Sequence, residues 1–114
     1  MRFCLPSVSG ETLSIAALEA MARGKPLLTS DYGPMPELVS HGMNGIIIPA
    51  GKRGAWADAI ALVAGITDCL PAMGRQSFQK ARREFSVEAV ARQYISDFCA
   101  LLNAKKERER TYER

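Results

Sequence analysis

The 114-residue sequence lacks the patterns typical of membrane, metal-binding and secreted proteins. It has one histidine, and its three cysteines, Cys4, Cys69 and Cys99, lie far apart with no Cys-x-x-Cys spacing. This pattern predicts reduced thiols in a cytoplasmic protein and no metal site built from cysteine and histidine. No apolar run approaches the roughly 18 residues of a membrane-spanning helix. No signal peptide is recognisable at the N-terminus.

An excess of charge of one sign is also missing. Lys and Arg number 15 and Asp and Glu number 12, so the net charge is only +3. Five basic and three acidic residues fall in the segment 104–114, which leaves the rest of the chain nearly neutral. Nucleic-acid binding needs a basic surface with interleaved aromatic side chains. We therefore expect no nucleic-acid partner.

The sequence does contain short apolar runs that alternate with helical segments. Strands are expected at 2–7, 26–30 and 46–48. Helices are expected from 11 or 12 to 23, from 34 or 36 to 40, at 53–65, at 72–84 and after an N-cap at Ser86. Short, non-alternating strands separated by helices predict an α/β fold with a parallel sheet covered on both faces. Three strands are about half of a complete doubly wound domain. We therefore expect a partial Rossmann-like domain over 1–103 and a charged tail over 104–114.

The helix after the first strand carries the most informative residues. Apolar residues occur on all its sides, which predicts burial all round, yet Glu19 lies in its middle. Eight residues earlier is Glu11, and Gly10 beside it would let a ligand approach the backbone closely. The amides of Thr12, Leu13 and Ser14 would begin the helix at the ligand-binding edge of the sheet and could hold a phosphate.

Two interpretations of these carboxylates stay open on the residues alone. An anion at the helix start, flanked by carboxylates that accept hydrogen bonds from hydroxyls, fits a nucleotide or a nucleotide sugar. Alternatively, Glu11 is a helix-start residue favoured by the helix dipole, and Glu19 belongs to a buried structural ion pair.

A longer series of residues resembles the retaining glycosyltransferases of family 4. The series reads Pro6-Ser7-x-x-x-Glu11-x7-Glu19-Ala20-Met21-Ala22-x-Gly24-x-Pro26, then Ser30-Asp31-x-Gly33-x-x-Pro36-Glu37-Leu38-Val39-x-x-Gly42-x-Asn44-Gly45, then Ile48-Pro49. The resemblance extends over residues 3–102, and its first part contains the Glu-x7-Glu signature of that family. It implies the second half of the C-terminal domain of a GT-B enzyme, which transfers a sugar from a nucleoside diphosphate sugar to an acceptor hydroxyl.

The resemblance also implies residue roles. Glu19 would accept hydrogen bonds from the ribose hydroxyls, and Glu11, the catalytic candidate, would contact the donor sugar or its nearby phosphate. The amides of Leu13 and Ser14 would hold the diphosphate, with Gly10 and Thr12 completing the donor site. No metal or other cofactor is implied. Many family members have an aromatic residue and a glycine where this chain has Leu13 and Ser14.

The resemblance covers only part of such an enzyme. It lacks the acceptor-binding domain and the Arg and Lys that neutralise the diphosphate, so we expect the 114 residues alone to transfer no sugar. Self-association or binding to a missing N-terminal half is expected instead. The alternative is a non-catalytic remnant or split-half module that binds a partner chain.

The remaining sequence features give less information about function. The segment from Gly45 to Lys52 resembles a phosphate-binding P-loop but is one residue too long, and Arg53 follows where Ser or Thr is required. His41 is expected to act as a capping cation at the end of a short helix. Trp56 is expected in the core. Glu37 either pins the loop above the site or is purely structural.

Overall fold

The computed structural model describes residues 2–10 and 13–113. The elements are β1 (Phe3–Leu5), α1 (Ile15–Ala22), β2 (Leu27–Ser30), α2 (Met35–Leu38), β3 (Gly45–Ile48), α3 (Arg53–Gly65), α4 (Leu70–Phe85) and α5 (Val87–Tyr112). A short 3-10 turn, Thr67–Cys69, joins α3 to α4. The expected order of strands and helices is confirmed, and the fold is α/β.

The three strands form one parallel sheet in the order β1-β2-β3. In its register, Leu28 of β2 lies beside Cys4 on one side and Ile46 on the other. Because side chains alternate across a strand, Leu28 and Ile46 share one face of the sheet. They pack there in an apolar cluster with residues of α3 and α4; its buried members are Leu28, Ile46, Ile48, Ala59, Val63 and Met73. Trp56 packs partly buried against this cluster, as expected.

Helix α1 contacts β1 and β2 and buries only one side of its surface. Ala17, Ala20 and Met21 are buried, whereas Ile15 is 68% exposed. The expectation that α1 is buried all round is therefore wrong. The reason is tertiary: apolar periodicity reports what a helix can bury, and the described residues supply a packing surface on one side only.

The loop between α2 and β3 is organised by a buried asparagine. The Asn44 side chain is 2% exposed; its Oδ1 accepts from the Ser40 amide at 2.7 Å and its Nδ2 donates to the Leu38 carbonyl at 3.0 Å. His41 does not act as the expected capping cation. Its Nδ1 accepts a hydrogen bond from the amide of Ile47 at 3.0 Å, because the chain runs parallel to the start of β3 there.

The chain forms two compact units, one ending at Arg82 and the other beginning at Arg83. The second unit is dominated by α5, which begins after Ser86. The Oγ of Ser86 accepts from the Ala89 amide at 3.2 Å, so the expected N-cap is confirmed. The charged residues from 104 onward continue α5 as helix as far as Tyr112. Within the described part of α5, no residue is buried.

Two further observations concern the thiols and the length and hydropathy of the helices. Cys4, Cys69 and Cys99 are free thiols and all three are exposed. Across 2–10 and 13–113, no single helix is both long and apolar enough to cross a membrane.

Thr29 provides a stability prediction for the sheet. Its hydroxyl is fully buried and has no hydrogen-bond partner among the described residues. Thr29→Val keeps the side-chain shape and removes this unsatisfied group, so it should raise the free energy of unfolding by about 1 kcal/mol. Thr29→Ser keeps the hydroxyl and loses a methyl group, so it should lower stability by about 1 kcal/mol. Urea unfolding of the two variants measures both effects, and a destabilised valine variant would contradict the prediction.

Candidate functional site

The carboxyl ends of the three parallel strands share one edge of the sheet. The loops that follow them are tied together there by two hydrogen bonds. The hydroxyl of Ser30, the last residue of β2, donates to the carbonyl of Ser7, after β1. The amide of Ala50, after β3, donates to the Asp31 carboxylate at 2.8 Å. This edge is where ligands bind in open α/β sheets, and cross-linked loops hold its shape.

Helix α1 begins at this edge. Ser14 is its N-cap: the Oγ accepts from the Ala17 amide at 3.2 Å, and the Ser14 carbonyl accepts from the Leu18 amide at 3.0 Å. The helix therefore starts at Ile15, later than the expected start near 11 or 12, because the Ser14 side chain caps it there. Leu13 and Ser14 precede the first turn instead of forming it. Glu11 and Thr12 lie outside the described residues.

The approach to the start of α1 is open. Gly10 has φ +75°, a left-handed backbone conformation, and apart from its chain neighbours no described atom lies within 4 Å of where its Cβ would be. Leu13 is 49% exposed. The first amides of a helix lack carbonyl partners within it and carry the positive end of the helix dipole. An anionic group can therefore reach the backbone at this end of α1.

Glu19 lies on the outer face of α1. Its side chain is 64% exposed, and its carboxylate is 3.7 Å from the guanidinium of Arg23. The interpretation of Glu19 as a buried ion pair is therefore wrong, because this face of α1 is open. Four residues separate Glu19 from Ile15, so both lie on the same face about one turn, or roughly 6 Å, apart. The carboxylate and the open start of the helix thus border one continuous exposed strip.

Arg53 is a cation at the same sheet edge that the sequence analysis did not select. It is exposed and begins α3 after the loop that follows β3. A groove of about 500 Å³ connects this helix start with the loop after β1; it is lined by Pro6, Val8, Gly51, Arg53 and Trp56. The sequence feature that could have identified Arg53 is a basic residue in the first helical turn after a parallel strand.

The structure thus brings part of the expected site together. Gly10, Leu13 and Ser14 lie where β1 leads into α1, and Glu19 follows on the open face of that helix. The roles of these residues, and those of Glu11 and Thr12, stay predictions. Among the described residues, no group of three His, Cys, Asp or Glu side chains is placed to hold a metal ion.

Comparison with known proteins finds several that are similar to this chain in sequence or in structure. The D-inositol 3-phosphate glycosyltransferase of Corynebacterium glutamicum (strain R) is 33% identical over 86 residues, which are 75% of this chain and 20% of the relative. Sucrose-phosphate synthase from Thermosynechococcus elongatus superposes with a TM-score of 0.77 at 27% identity, covering 90% of this chain and 26% of that structure.

A second solved protein shares the fold. Anabaena HepE, in complex with UDP, gives a TM-score of 0.77 at 24% identity, covering 86% of this chain and 27% of HepE. It has also been solved in complex with UDP-glucose, with a TM-score of 0.75. The fold matches that of GT-B glycosyltransferases, as expected. The chain spans 20% to 27% of the length of these three proteins.

A family model covers the sheet, the candidate site and α3. It is described as glycosyl transferases group 1 and matches residues 2–70, more than half of the chain. This stretch includes all three strands and the whole of α1. The chain belongs to the glycosyl transferases group 1 family.

Proposed function

We propose that this chain supplies the donor-binding edge of a retaining, family 4 glycosyltransferase. The substrate is a nucleoside diphosphate sugar, whose sugar passes to an acceptor hydroxyl in the whole enzyme. The proposal rests on the group 1 family match and on the complete motif series from Pro6 to Pro49. It is supported by HepE, a protein of the same fold whose structures contain UDP and UDP-glucose.

The observation that carries the proposal is the position of Glu19. A ribose has two neighbouring hydroxyl donors, and an ionised carboxylate has two acceptor oxygens. Glu19 presents these oxygens on an open face, one turn from the start of α1. Arg23 lies 3.7 Å from the carboxylate and leaves it exposed. Glu19 is therefore a binding residue for the ribose.

The start of α1 receives the diphosphate in this proposal. The amides of Leu13 and Ser14 lie beside the first turn, where the helix dipole favours negative charge. The open backbone at Gly10 allows a phosphate oxygen to approach closely. The proposed arrangement includes no metal ion; the backbone amides and the helix dipole meet part of the charge of the diphosphate. Thr12, between these residues, belongs to the same donor site.

Glu11 is the proposed catalytic residue. In the sequence it lies between Gly10 and Thr12, and the resemblance to family 4 implies that it contacts the donor sugar or its nearby phosphate. A carboxylate there would accept hydrogen bonds from the donor sugar while the bond to the diphosphate breaks. Its effect should therefore depend on whether the ligand carries a sugar. The free, exposed thiols of the chain are consistent with a reducing compartment, and we propose the cytoplasm.

Glu19→Gln tests the proposed function directly. The amide retains one acceptor oxygen and loses the charge, so charge-assisted bonds to the ribose weaken. Calorimetric titration with UDP, ADP and GDP identifies the diphosphate that the parent chain binds best. For that ligand, we expect the dissociation constant of Glu19→Gln to rise roughly 10- to 100-fold.

Glu109→Gln is the matched control. Glu109 belongs to an exposed pair of the same kind, with Lys105 at 3.8 Å and 61% of its side chain exposed. Both variants should melt within about 2 °C of the parent, because exposed ion pairs contribute little stability. Equal binding by the two variants would contradict the ribose role of Glu19. Absence of binding by the parent to all three diphosphates would contradict a donor site formed by this chain.

A further inference from the structure

The outer edge of β3 is covered by the turn that precedes the strand. Among the residues that the structure describes, β3 is the last strand of the sheet and pairs with β2 on one side only. On the other side, the Gly42 amide donates to the Gly45 carbonyl at 2.8 Å, and the Ile47 amide donates to Nδ1 of His41 at 3.0 Å. These two bonds occupy backbone groups that an edge strand otherwise leaves unpaired.

The bond from Ile47 exists only while the His41 ring is neutral. A neutral imidazole has one nitrogen that accepts and one that donates, whereas the protonated ring has two donors. Because Nδ1 of His41 accepts, the hydrogen bond assigns the ring proton to Nε2. A second proton on Nδ1 would place an N–H against the N–H of Ile47, and the bond would be lost. Covering of this edge therefore depends on the protonation state of one side chain.

We propose that His41 is a pH-sensitive switch at the outer edge of β3: the neutral ring covers the Ile47 amide, and protonation uncovers it. The covered form binds one proton fewer than the uncovered form, so its population falls as the pH decreases. Histidine changes its charge between about pH 5 and pH 8. The His41 side chain is exposed, so a proton reaches it without unfolding of the chain. This inference is independent of the proposed donor site.

The rest of this loop is held by bonds between neutral groups. The Asn44 carbonyl accepts from the Leu27 amide at 3.1 Å and from the Ser77 hydroxyl at 2.9 Å. The Asn44 side chain bonds to two further backbone groups. Amides and hydroxyls of this kind neither gain nor lose a proton in the range where histidine titrates. Protonation of His41 should therefore uncover the edge locally, with Asn44 still in place.

Two charged groups lie beside this loop in the described contacts. From α4, the Lys80 ammonium donates to the carbonyl of Glu37, in α2, at 2.6 Å; lysine and glutamate ordinarily keep their charges while histidine titrates. The two strands that the loop contacts have no titratable side chain; they are Leu27–Ser30 and Gly45–Ile48. No described carboxylate oxygen lies within 4 Å of the ring nitrogens of His41, the only histidine in the sequence. A pH response of this edge in the histidine range therefore belongs to His41.

Solvent exchange of the Ile47 amide tests the proposal. NMR measures the exchange rate, and division into the rate of an unstructured chain at the same pH gives the protection of the amide. From about pH 8 to about pH 5.5, we expect this protection in the parent chain to fall roughly 5-fold, the effect of one hydrogen bond between neutral groups. The Ile47 amide shift should follow the same titration curve as the carbon-bound ring protons of His41. Constant protection, or an amide shift with a different midpoint, would overturn the proposal.

Two variants at His41 provide the controls. His41→Asn keeps an acceptor, Oδ1, at the position of Nδ1 without a titratable group, so Ile47 should stay protected at both pH values. His41→Phe keeps a ring and removes the acceptor, so the protection should be as low at both pH values as in the parent under acidic conditions. Circular dichroism should show equal helix content in all three chains. A response of the parent's size in His41→Asn, or full protection of Ile47 in His41→Phe at about pH 8, would contradict the role of the ring.

Discussion

Asn44→Ala should lower the free energy of unfolding by about 2–5 kcal/mol, the largest effect of any single truncation considered for this chain. The substitution removes the side-chain partner of two backbone groups, the Ser40 amide and the Leu38 carbonyl. Asn44 itself is 2% exposed, so water does not readily replace the lost hydrogen bonds. Each buried group left unsatisfied costs about 1–3 kcal/mol. Urea denaturation with linear extrapolation measures the loss.

Asn103→Ala provides the comparison for this prediction. Asn103 is exposed in the middle of α5, so its truncation should change stability by no more than about 0.5 kcal/mol. Asn44→Asp separates the two hydrogen bonds, because a carboxylate can still accept from Ser40 but cannot donate to Leu38. It should therefore be less stable than the parent. An Asn44→Ala chain as stable as Asn103→Ala would show that the loop is held by other contacts.

The order of the elements could be predicted because the local signals agree with the tertiary structure. Pro26, Pro49 and Gly24 mark the ends of elements, and the runs between them are apolar enough to identify buried strands. The cap at Ser86 was predicted for the same reason: it depends on residues within one turn. Contacts of this kind are local in sequence, so a single sequence contains them.

The surroundings of α1 could not be predicted in the same way. Its composition allows burial on every side, but only the side of Ala17, Ala20 and Met21 meets the sheet. The exposure of Glu19 follows from what packs beside the helix, which helical periodicity does not encode. This difference matters for function, because a carboxylate on an open face can accept hydrogen bonds from a ligand. A carboxylate paired inside the core would have most of its acceptor positions occupied.

The candidate site shows the same division between local and long-range information. The Glu-x7-Glu spacing identifies Glu19, and the turn residues identify Gly10. The start of α1 shifted to Ile15 because one side chain, that of Ser14, caps the helix. Arg53 was missed because its relevance depends on two loops more than 40 residues apart meeting at one edge of the sheet. Only the parallel topology brings those loops together.

The close approach of two backbone segments leads to the other large prediction. Gly74, in α4, lies against Gly24, which ends the turn after α1. A Cβ on Gly74 would be 2.2 Å from the Gly24 carbonyl oxygen, and at that distance the backbone must shift. Ala is a better helix former than Gly by about 1 kcal/mol, but overpacking typically costs 1–3 kcal/mol and more where backbone atoms clash. Gly74→Ala should therefore lower the free energy of unfolding by about 2 kcal/mol.

Gly54→Ala isolates the clash from the helix preference. Gly54 lies in the first turn of α3, and apart from the adjacent backbone of that helix no described atom is within 4 Å of its Cβ position. This variant should raise the free energy of unfolding by up to about 1 kcal/mol, because alanine favours the helix more than glycine does and the new methyl group contacts no neighbour. The two alanine variants should thus shift the urea midpoint in opposite directions with the same slope. A stabilised Gly74→Ala chain would mean that α4 can move away from Gly24 at little cost. In that case Ser77, one turn further along α4, should lose its 2.9 Å hydrogen bond to the Asn44 carbonyl, and Ser77→Ala would then cost nothing more.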